Sequence, residues 1–151
     1  MKDFPNETEA RKAWMGLLAK APADRVAALL DGIGARPEAT WLRKPEIGSA
    51  MVRGRAGGTG APFNLGEITV TRCALKLSDG TVGHAYIQGR RKEDAEAAAL
   101  VDALMQTSRA KDVERAVLTP LRRELAEAKA TRAAKAAATK VDFFTMVRGE
   151  D

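Results

Sequence analysis

The period of the apolar residues changes twice along the 151-residue chain, and this limits the folds open to it. Up to about residue 39, apolar residues recur at three- and four-residue steps, which is typical of amphipathic helices. From residue 40 to 88 the sequence consists of short extended runs separated by turn residues. After Gly89 the helical period resumes. We therefore predict an α+β fold in which residues 1–151 form a single domain around a central antiparallel sheet.

The first third of the chain predicts a helical hairpin. Residues 7–20 place alanines, Trp14 and two leucines on one face of a helix. Pro22 and Gly32 bracket a second, shorter helix, because proline favours the first helical position and glycine the position after a helix end.

The middle of the chain predicts a sheet of about four strands. Two short runs, 40–43 and 50–53, flank a proline- and glycine-containing segment, 45–48, which we expect to be a hairpin turn. Two longer runs, 67–77 and 81–88, are separated by Ser-Asp-Gly, a strong hairpin signal because Asp-Gly tolerates positive φ.

The C-terminal third predicts helices over residues 92–107 and 112–118, followed by a long one. Thr119 before Pro120 is typical of an N-cap with proline at the first helical position. The helix that begins there should reach about residue 139, a length of roughly 30 Å. It is rich in Ala, Lys and Arg and supplies few large apolar groups to a core.

An apolar tail follows this helix and holds half of the chain's four phenylalanines. We predict that residues 120–151 form a helical arm and tail that packs on partner subunits or returns to its own domain. The candidate interface residues are Phe63, Phe143, Phe144, Met146 and Arg148.

Composition and charge narrow the function classes. Hydrophobic residues make up 45% of the chain and charged residues 30%, but no run of 18 apolar residues exists, so we expect no membrane span. The N-terminal residues are polar, unlike a signal peptide, which favours the cytoplasm. With one cysteine, Cys73, and one histidine, His84, the chain lacks the residues for a disulfide or for a cysteine- or histidine-rich metal site, and no metal ligands are assigned.

The formal net charge of +5 arises in one segment. Residues 109–140 hold nine basic and four acidic residues, whereas the rest of the chain holds sixteen of each sign. Basic helices bind nucleic acid, acidic membranes or acidic protein surfaces. Because neither tryptophan nor tyrosine occurs in this segment, a base-stacking surface is disfavoured, and a solvated face or a protein contact is the preferred interpretation.

The stretch MVRGRAGGTGAPFNLGEITVTR, residues 51–72, is the most distinctive in the sequence. It lacks the lysine of a GxxxxGK[ST] phosphate loop, and it leads into a strand where a dinucleotide fingerprint needs a helix. Glycine amides and arginines still permit an anion-binding nest, while the alternative is that the glycines serve a tight chain crossing or a subunit contact. The candidate anion- or substrate-binding residues are Arg53, Arg55, Gly57, Gly58, Thr59, Gly60, Asn64, Glu67 and Arg72.

Strand alternation places Met51, Arg53 and Arg55 on one face, and Arg72 joins them only if the two strands pair across the loop. His84 is the one candidate general base, but no orienting carboxylate and nucleophile can be recognised in the sequence, so a structural role is the alternative. Cys73 alternates with two leucines and is expected in the core.

Four stretches are similar to PhnG, a small subunit of the bacterial carbon–phosphorus lyase system. They are RKAWMGLLAKA, MVRGRAGGTGAPFNLGEITVTRCALKL, GTVGHAYIQGR and KVDFFTMVRGED, and together they span nearly the whole chain. The Ala- and Lys-rich segment 126–139 is the least distinctive part.

The resemblance implies a reaction that goes beyond what residue spacing indicates. Proteins of this family act with the PhnI, PhnH and PhnL subunits to join an alkylphosphonate to C1 of the ribose of ATP, with release of adenine. The product is a ribose 1-phosphonate 5-triphosphate, which activates the phosphonate for later cleavage of its carbon–phosphorus bond by PhnJ. The resemblance also implies that the chain binds no cofactor alone, that ATP with magnesium is a substrate of the complex, and that PhnG is a companion without an assigned catalytic residue.

Two roles remain open at this point. Either the chain contributes residues to an active site shared with another subunit, or it is a scaffold that holds a partner in its productive form.

Overall fold

The computed structural model describes the backbone of residues 4–141 and the side chains of residues 7–141. The predicted tail residues Phe143, Phe144, Met146 and Arg148 lie outside this range. The elements, in chain order, are α1 (Phe4–Ala19), α2 (Arg25–Asp31), β1 (Ala39–Arg55), a 3₁₀ turn (Ala56–Gly58), β2 (Pro62–Leu77), β3 (Val82–Gln88), α3 (Lys92–Leu104), α4 (Ala110–Val113), a π-helical segment (Glu114–Leu118) and α5 (Thr119–Ala138). The predicted α+β class and the N-terminal helical hairpin are confirmed.

The sheet in the described range has three antiparallel strands in the order β1-β2-β3. The predicted turn at 45–48 is wrong, because β1 runs straight through it as one 17-residue strand. Register shifts between Trp41 and Arg43 and between Arg43 and Glu46 accommodate this segment. Pro45 is tolerated there because β1 is an edge strand, where a missing backbone N–H does not interrupt a ladder on both sides.

The turn between β2 and β3 has the predicted chemistry. Gly80 has a φ of +89°, a conformation that residues with a Cβ rarely adopt. The Asp79 side chain accepts a hydrogen bond of 2.8 Å from the backbone N–H of Thr81. This pair closes the hairpin and sets its register.

The core lies between one face of the sheet and α3. Cys73, Leu75 and Ile87 project from the strands and are buried, as the alternation of β2 predicts for the first two. The facing residues of α3 are mostly alanines, and ten of its 13 residues are buried. Small side chains let the helix lie close to the sheet: a Cβ on Gly83 of β3 would lie 2.0 Å from the carbonyl oxygen of Ala99.

The two longer strands continue beyond the end of β3. The last pair between β2 and β3 joins Val70 to Gln88, whereas β1 and β2 stay paired as far as Arg55 and Pro62. We call residues 48–55 and 62–69 the ribbon. At the rise of a β-strand it extends the sheet by about 25 Å with only two strands.

The C-terminal helices form one continuous run in which the predicted N-cap at Thr119 is wrong. Both Leu118 and Thr119 have helical φ and ψ, and no side chain caps α5. Pro120 lacks an N–H and its ring collides with the carbonyl four residues earlier, so the preceding turn widens into the π segment. Leu121 is the one buried residue of α5 in the described range, in agreement with the prediction of a thinly apolar helix. No helix within residues 4–141 combines the length and the hydropathy that crossing a membrane requires.

Candidate functional site

The glycine-rich stretch forms the tip of the ribbon. Gly57 and Gly58 have φ values of +60° and +82°, so both need the freedom of glycine. Gly60 donates a 2.8 Å hydrogen bond to the Ala56 carbonyl, and a Cβ on Gly60 would lie 2.7 Å from that oxygen. Three of the glycines are therefore required by the turn itself, and Thr59 is exposed between them.

The two arginines of the tip differ in their contacts. Arg55 donates through Nη1 to the carbonyl oxygen of Gly60 at 3.1 Å and so braces the turn. The Arg53 side chain is exposed and makes no hydrogen bond or ion pair within residues 7–141. Arg53 is therefore the cation at the tip that an external anion reaches without breaking an internal contact.

The register gives the ribbon two unlike faces. Met51 lies opposite Glu67 and Arg53 opposite Asn64, so these polar candidates share one face with Arg55. The other face carries apolar groups around Gly54: the ring of Phe63 and the Cβ of Leu65 lie 3.5 Å and 3.9 Å from the position of a Cβ on Gly54.

The apolar face of the ribbon is open to solvent. Phe63 is 45% exposed, Leu65 66% and Ile68 39%. Isolated two-stranded ribbons are marginally stable in water, and exposed apolar patches commonly mark interaction sites. The predicted interface residue Phe63 thus belongs to a larger apolar surface.

Arg72 lies at a different place from the other two arginines. The strands do pair across the loop, but Arg72 is opposite Glu46, seven residues from Arg53 along β1, a separation of roughly 20 Å. Its Nε donates to Glu46 Oε1 at 2.7 Å, and Arg43 pairs with the same oxygen. Hydrogen bonds from Arg43 and Arg72 lower the pKa of Glu46, and the bond to Glu46 raises the pKa of Arg72.

The structure instead brings Arg72 near His84. Arg72 pairs with Tyr86 and Ala74 with His84 in the register of β2 and β3, on the face of the sheet opposite α3. A shallow cavity of about 240 Å³ lies there. Its lining residues are Met15, Arg43, Arg72, Cys73, Ala74, His84, Ala85 and Tyr86. Sequence reasoning missed Arg43, Glu46 and Tyr86, because only the register reveals that they meet Arg72 and His84.

Within residues 7–141 no side chain forms a hydrogen bond with the His84 imidazole. The backbone N–H of His84, by contrast, donates to Asp102 Oδ2 at 2.9 Å. A general base without an orienting partner is poorly organised for proton transfer, so the geometry gives His84 a structural attachment through its backbone.

Asp102 was not singled out in the sequence, yet its carboxylate accepts hydrogen bonds from three other residues. It is fully buried and accepts from Arg11 Nη2 at 2.7 Å, Trp14 Nε1 at 2.8 Å and the His84 amide. These bonds tie α1, α3 and β3 together. A polar residue at a buried helix position is the signal that could have identified it.

Cys73 carries no nucleophilic role. Burial raises the pKa of its thiol to about 12, and its Sγ lies 3.1 Å from the carbonyl oxygen of Ala95, to which it donates. The part of the chain that the structure describes contains no group of three His, Cys, Asp or Glu side chains placed to hold a metal ion.

Comparison with known proteins gives one family. The family model described as phosphonate metabolism protein PhnG matches residues 9–149. The chain is 44% identical over 141 residues to the alpha-D-ribose 1-methylphosphonate 5-triphosphate synthase subunit PhnG of Rhizobium meliloti (strain 1021), an alignment that covers 93% of this chain and 90% of that protein. The resemblance drawn from the four sequence stretches is confirmed: this chain belongs to the PhnG family of phosphonate metabolism proteins.

Proposed function

We propose that this chain is a subunit of an alpha-D-ribose 1-methylphosphonate 5-triphosphate synthase, which acts in phosphonate catabolism. The observation that carries the proposal is its 44% identity, over nearly the full length of both proteins, to a relative with that name. The assembly transfers an alkylphosphonate to C1 of the ribose of ATP and releases adenine. Because ATP with magnesium is its substrate, we place the assembly in the cytoplasm.

We propose further that the chain is inactive alone and acts with PhnI, PhnH, PhnL and PhnJ. Two exposed surfaces support dependence on other subunits. The apolar face of the ribbon leaves Phe63 and Leu65 in solvent, and residues 126–138 of α5 are exposed on all sides. Surfaces of this kind gain stability when a partner covers them.

Within the assembly, the ribbon tip is our candidate for contact with the anionic substrates. The reaction brings a negatively charged phosphonate towards a sugar that carries a triphosphate. A nearby cation lowers the electrostatic cost of that approach, most strongly where water is excluded. Arg53 is exposed and unpaired within the described residues, and Arg55 holds the turn that presents it. Arg72 is too far from this tip to act on the same anion.

The test is reconstitution of the synthase with Arg53→Ala. The other subunits are purified and supplied with ATP and methylphosphonate, and ³¹P NMR and chromatography of adenine follow the reaction. We expect no product without this chain and a tenfold or greater loss of rate with the variant at normal assembly. Lys76→Ala, which removes an exposed cation elsewhere on β2, serves as the matched control.

Two outcomes separate the proposals. Full synthesis without this chain would overturn its role as a synthase subunit. Unchanged assembly and rate with Arg53→Ala would exclude Arg53 from the active site and favour the role of a scaffold.

A further inference from the structure

The outer half of α5 leaves the body of the protein. Leu121 is buried, and Glu124 forms an ion pair with Arg25 of α2, in which Oε1 lies 2.5 Å from Nη2. Beyond Leu125, every residue as far as the helix end at Ala138 is exposed. This outer segment is about 20 Å long and contributes nothing to the core.

The charges of α5 are divided between its two halves. As far as Glu127 both acids are paired, Glu124 with Arg25 and Glu127 Oε1 with Arg123 Nε at 3.8 Å. After Glu127 the helix holds cations and no acid. These cations are Lys129, Arg132 and Lys135, and none of their side chains has an ion pair or hydrogen bond within residues 7–141.

The spacing of the three cations places them on one side of the helix. At intervals of three residues they fall within an arc of about 120° and span about 9 Å along the axis. The opposite side consists largely of alanines, among them Ala130, Ala134 and Ala137. Alanine keeps the segment helical without a core beneath it and lets another surface approach the backbone closely.

We propose that residues 128–138 dock in an acidic groove of a companion subunit, with the alanine side inward and the three cations against carboxylates on the groove's rim. This inference rests on the proposed function, since it requires that the chain work in an assembly. Charge complementarity identifies the partner: three unpaired cations on one side fit a surface with carboxylates spaced over about 9 Å.

A protein fits this helix better than a nucleic acid or a membrane does. Residues 119–138 contain no Phe, Trp or Tyr on which bases could stack. Helices that lie in a membrane interface bury large apolar side chains, whereas the outer half of α5 offers only alanines.

The experiment measures binding of the full chain to the remaining synthase subunits, which are purified together and immobilised. The NaCl concentration is varied from roughly 50 to 500 mM, because salt screens the attraction between charges. The principal variant is Lys129→Ala/Arg132→Ala/Lys135→Ala, which removes the cations while helix propensity is kept or raised. A control with the same loss of charge is Lys20→Ala/Lys92→Ala/Lys111→Ala, at exposed lysines outside α5. Circular dichroism verifies that both variants keep their helix content.

We expect the α5 variant to bind roughly tenfold or more weakly at low salt and to lose most of the salt dependence, while the control binds like wild type. Binding of the α5 variant within twofold of the control would overturn the proposal. A second result would also overturn it: the wild-type chain binds a 20-base-pair DNA duplex or phosphatidylserine vesicles, the α5 variant loses that binding, and both chains bind the subunits equally well. If the wild-type chain fails to bind the subunits at all, the proposed function fails before this inference is reached.

Discussion

At the residue scale, two contacts fix the position of α3 on the sheet. Asp102 collects donors from Arg11, Trp14 and the His84 amide, so its buried carboxylate is fully hydrogen-bonded. Gly83 permits the close approach of the helix backbone to β3. The first contact orients the helix and the second sets its distance from the sheet.

We predict that Gly83→Ala destabilises the protein by about 2–3 kcal/mol. The added methyl would lie 2.0 Å from a backbone oxygen of α3 and 2.8 Å from the Ala103 Cβ, so helix or strand must shift. Urea unfolding followed by circular dichroism measures the loss. The control is Gly48→Ala in β1, where no heavy atom lies within 4 Å of an added Cβ. Equal stability of the two variants would contradict the close packing of α3 on β3.

The sequence predicts which residues share a face of one strand better than it predicts which residues are neighbours across strands. Arg53 and Arg55 were expected on one strand face, and they lie on one. Arg72 was grouped with them from its sequence neighbourhood, but its neighbours are Glu46 and Tyr86, because proximity in a sheet depends on register. A local pattern does not contain that register, which here passes through irregularities between Trp41 and Glu46 and between Val52 and Arg53.

At the element scale, the ribbon combines the glycine-rich tip with the apolar surface. The division of its faces on β2 depends on the irregularity opposite Val52 and Arg53, but on β1 the polar and apolar faces follow from simple alternation, which the sequence contains. Its length does not, because Pro45 and Gly48 together predict a turn where the edge strand continues. The π segment before Pro120 was missed for a related reason: packing of Val117 and Leu118 in the core keeps the chain helical across a residue that usually begins a helix.

We predict that Leu65→Ser leaves the fold intact and weakens assembly with the other synthase subunits about tenfold. Leu65 is 66% exposed, so the substitution costs the free chain little stability. If a partner covers Leu65 in the assembly, the substitution removes buried apolar area and forces a hydroxyl to lose its water, which weakens binding. Size-exclusion chromatography of the mixed subunits gives the measurement. Leu42→Ser is matched in chemistry, with Leu42 55% exposed on β1 outside the ribbon. If both variants assemble as wild type does, the apolar face is not a subunit contact.

At the scale of the whole molecule, the described residues form a two-layer fold from which two segments extend. Helix α3 covers one face of the three-stranded sheet, while the ribbon and the outer half of α5 extend from it without buried contacts of their own. The buried residues belong to α1–α3, the sheet and the helical run as far as Leu121. Stability and assembly should therefore depend on different parts of the chain.

We predict that a chain ending at residue 127 unfolds within about 5 °C of the full-length protein but no longer assembles with the other synthase subunits. In the described range, the deletion removes no buried residue and keeps the ion pair between Arg25 and Glu124. A loss of 1 kcal/mol would shift the midpoint by about 2–4 °C in a protein of this size. A chain ending at residue 141 keeps the whole of α5 and separates its contribution from that of the residues beyond. Calorimetry measures the midpoints and co-purification measures assembly. A truncated chain without a cooperative transition would mean that residues 128–151 stabilise the core, and the arm would then be part of the fold and not a separable binding element.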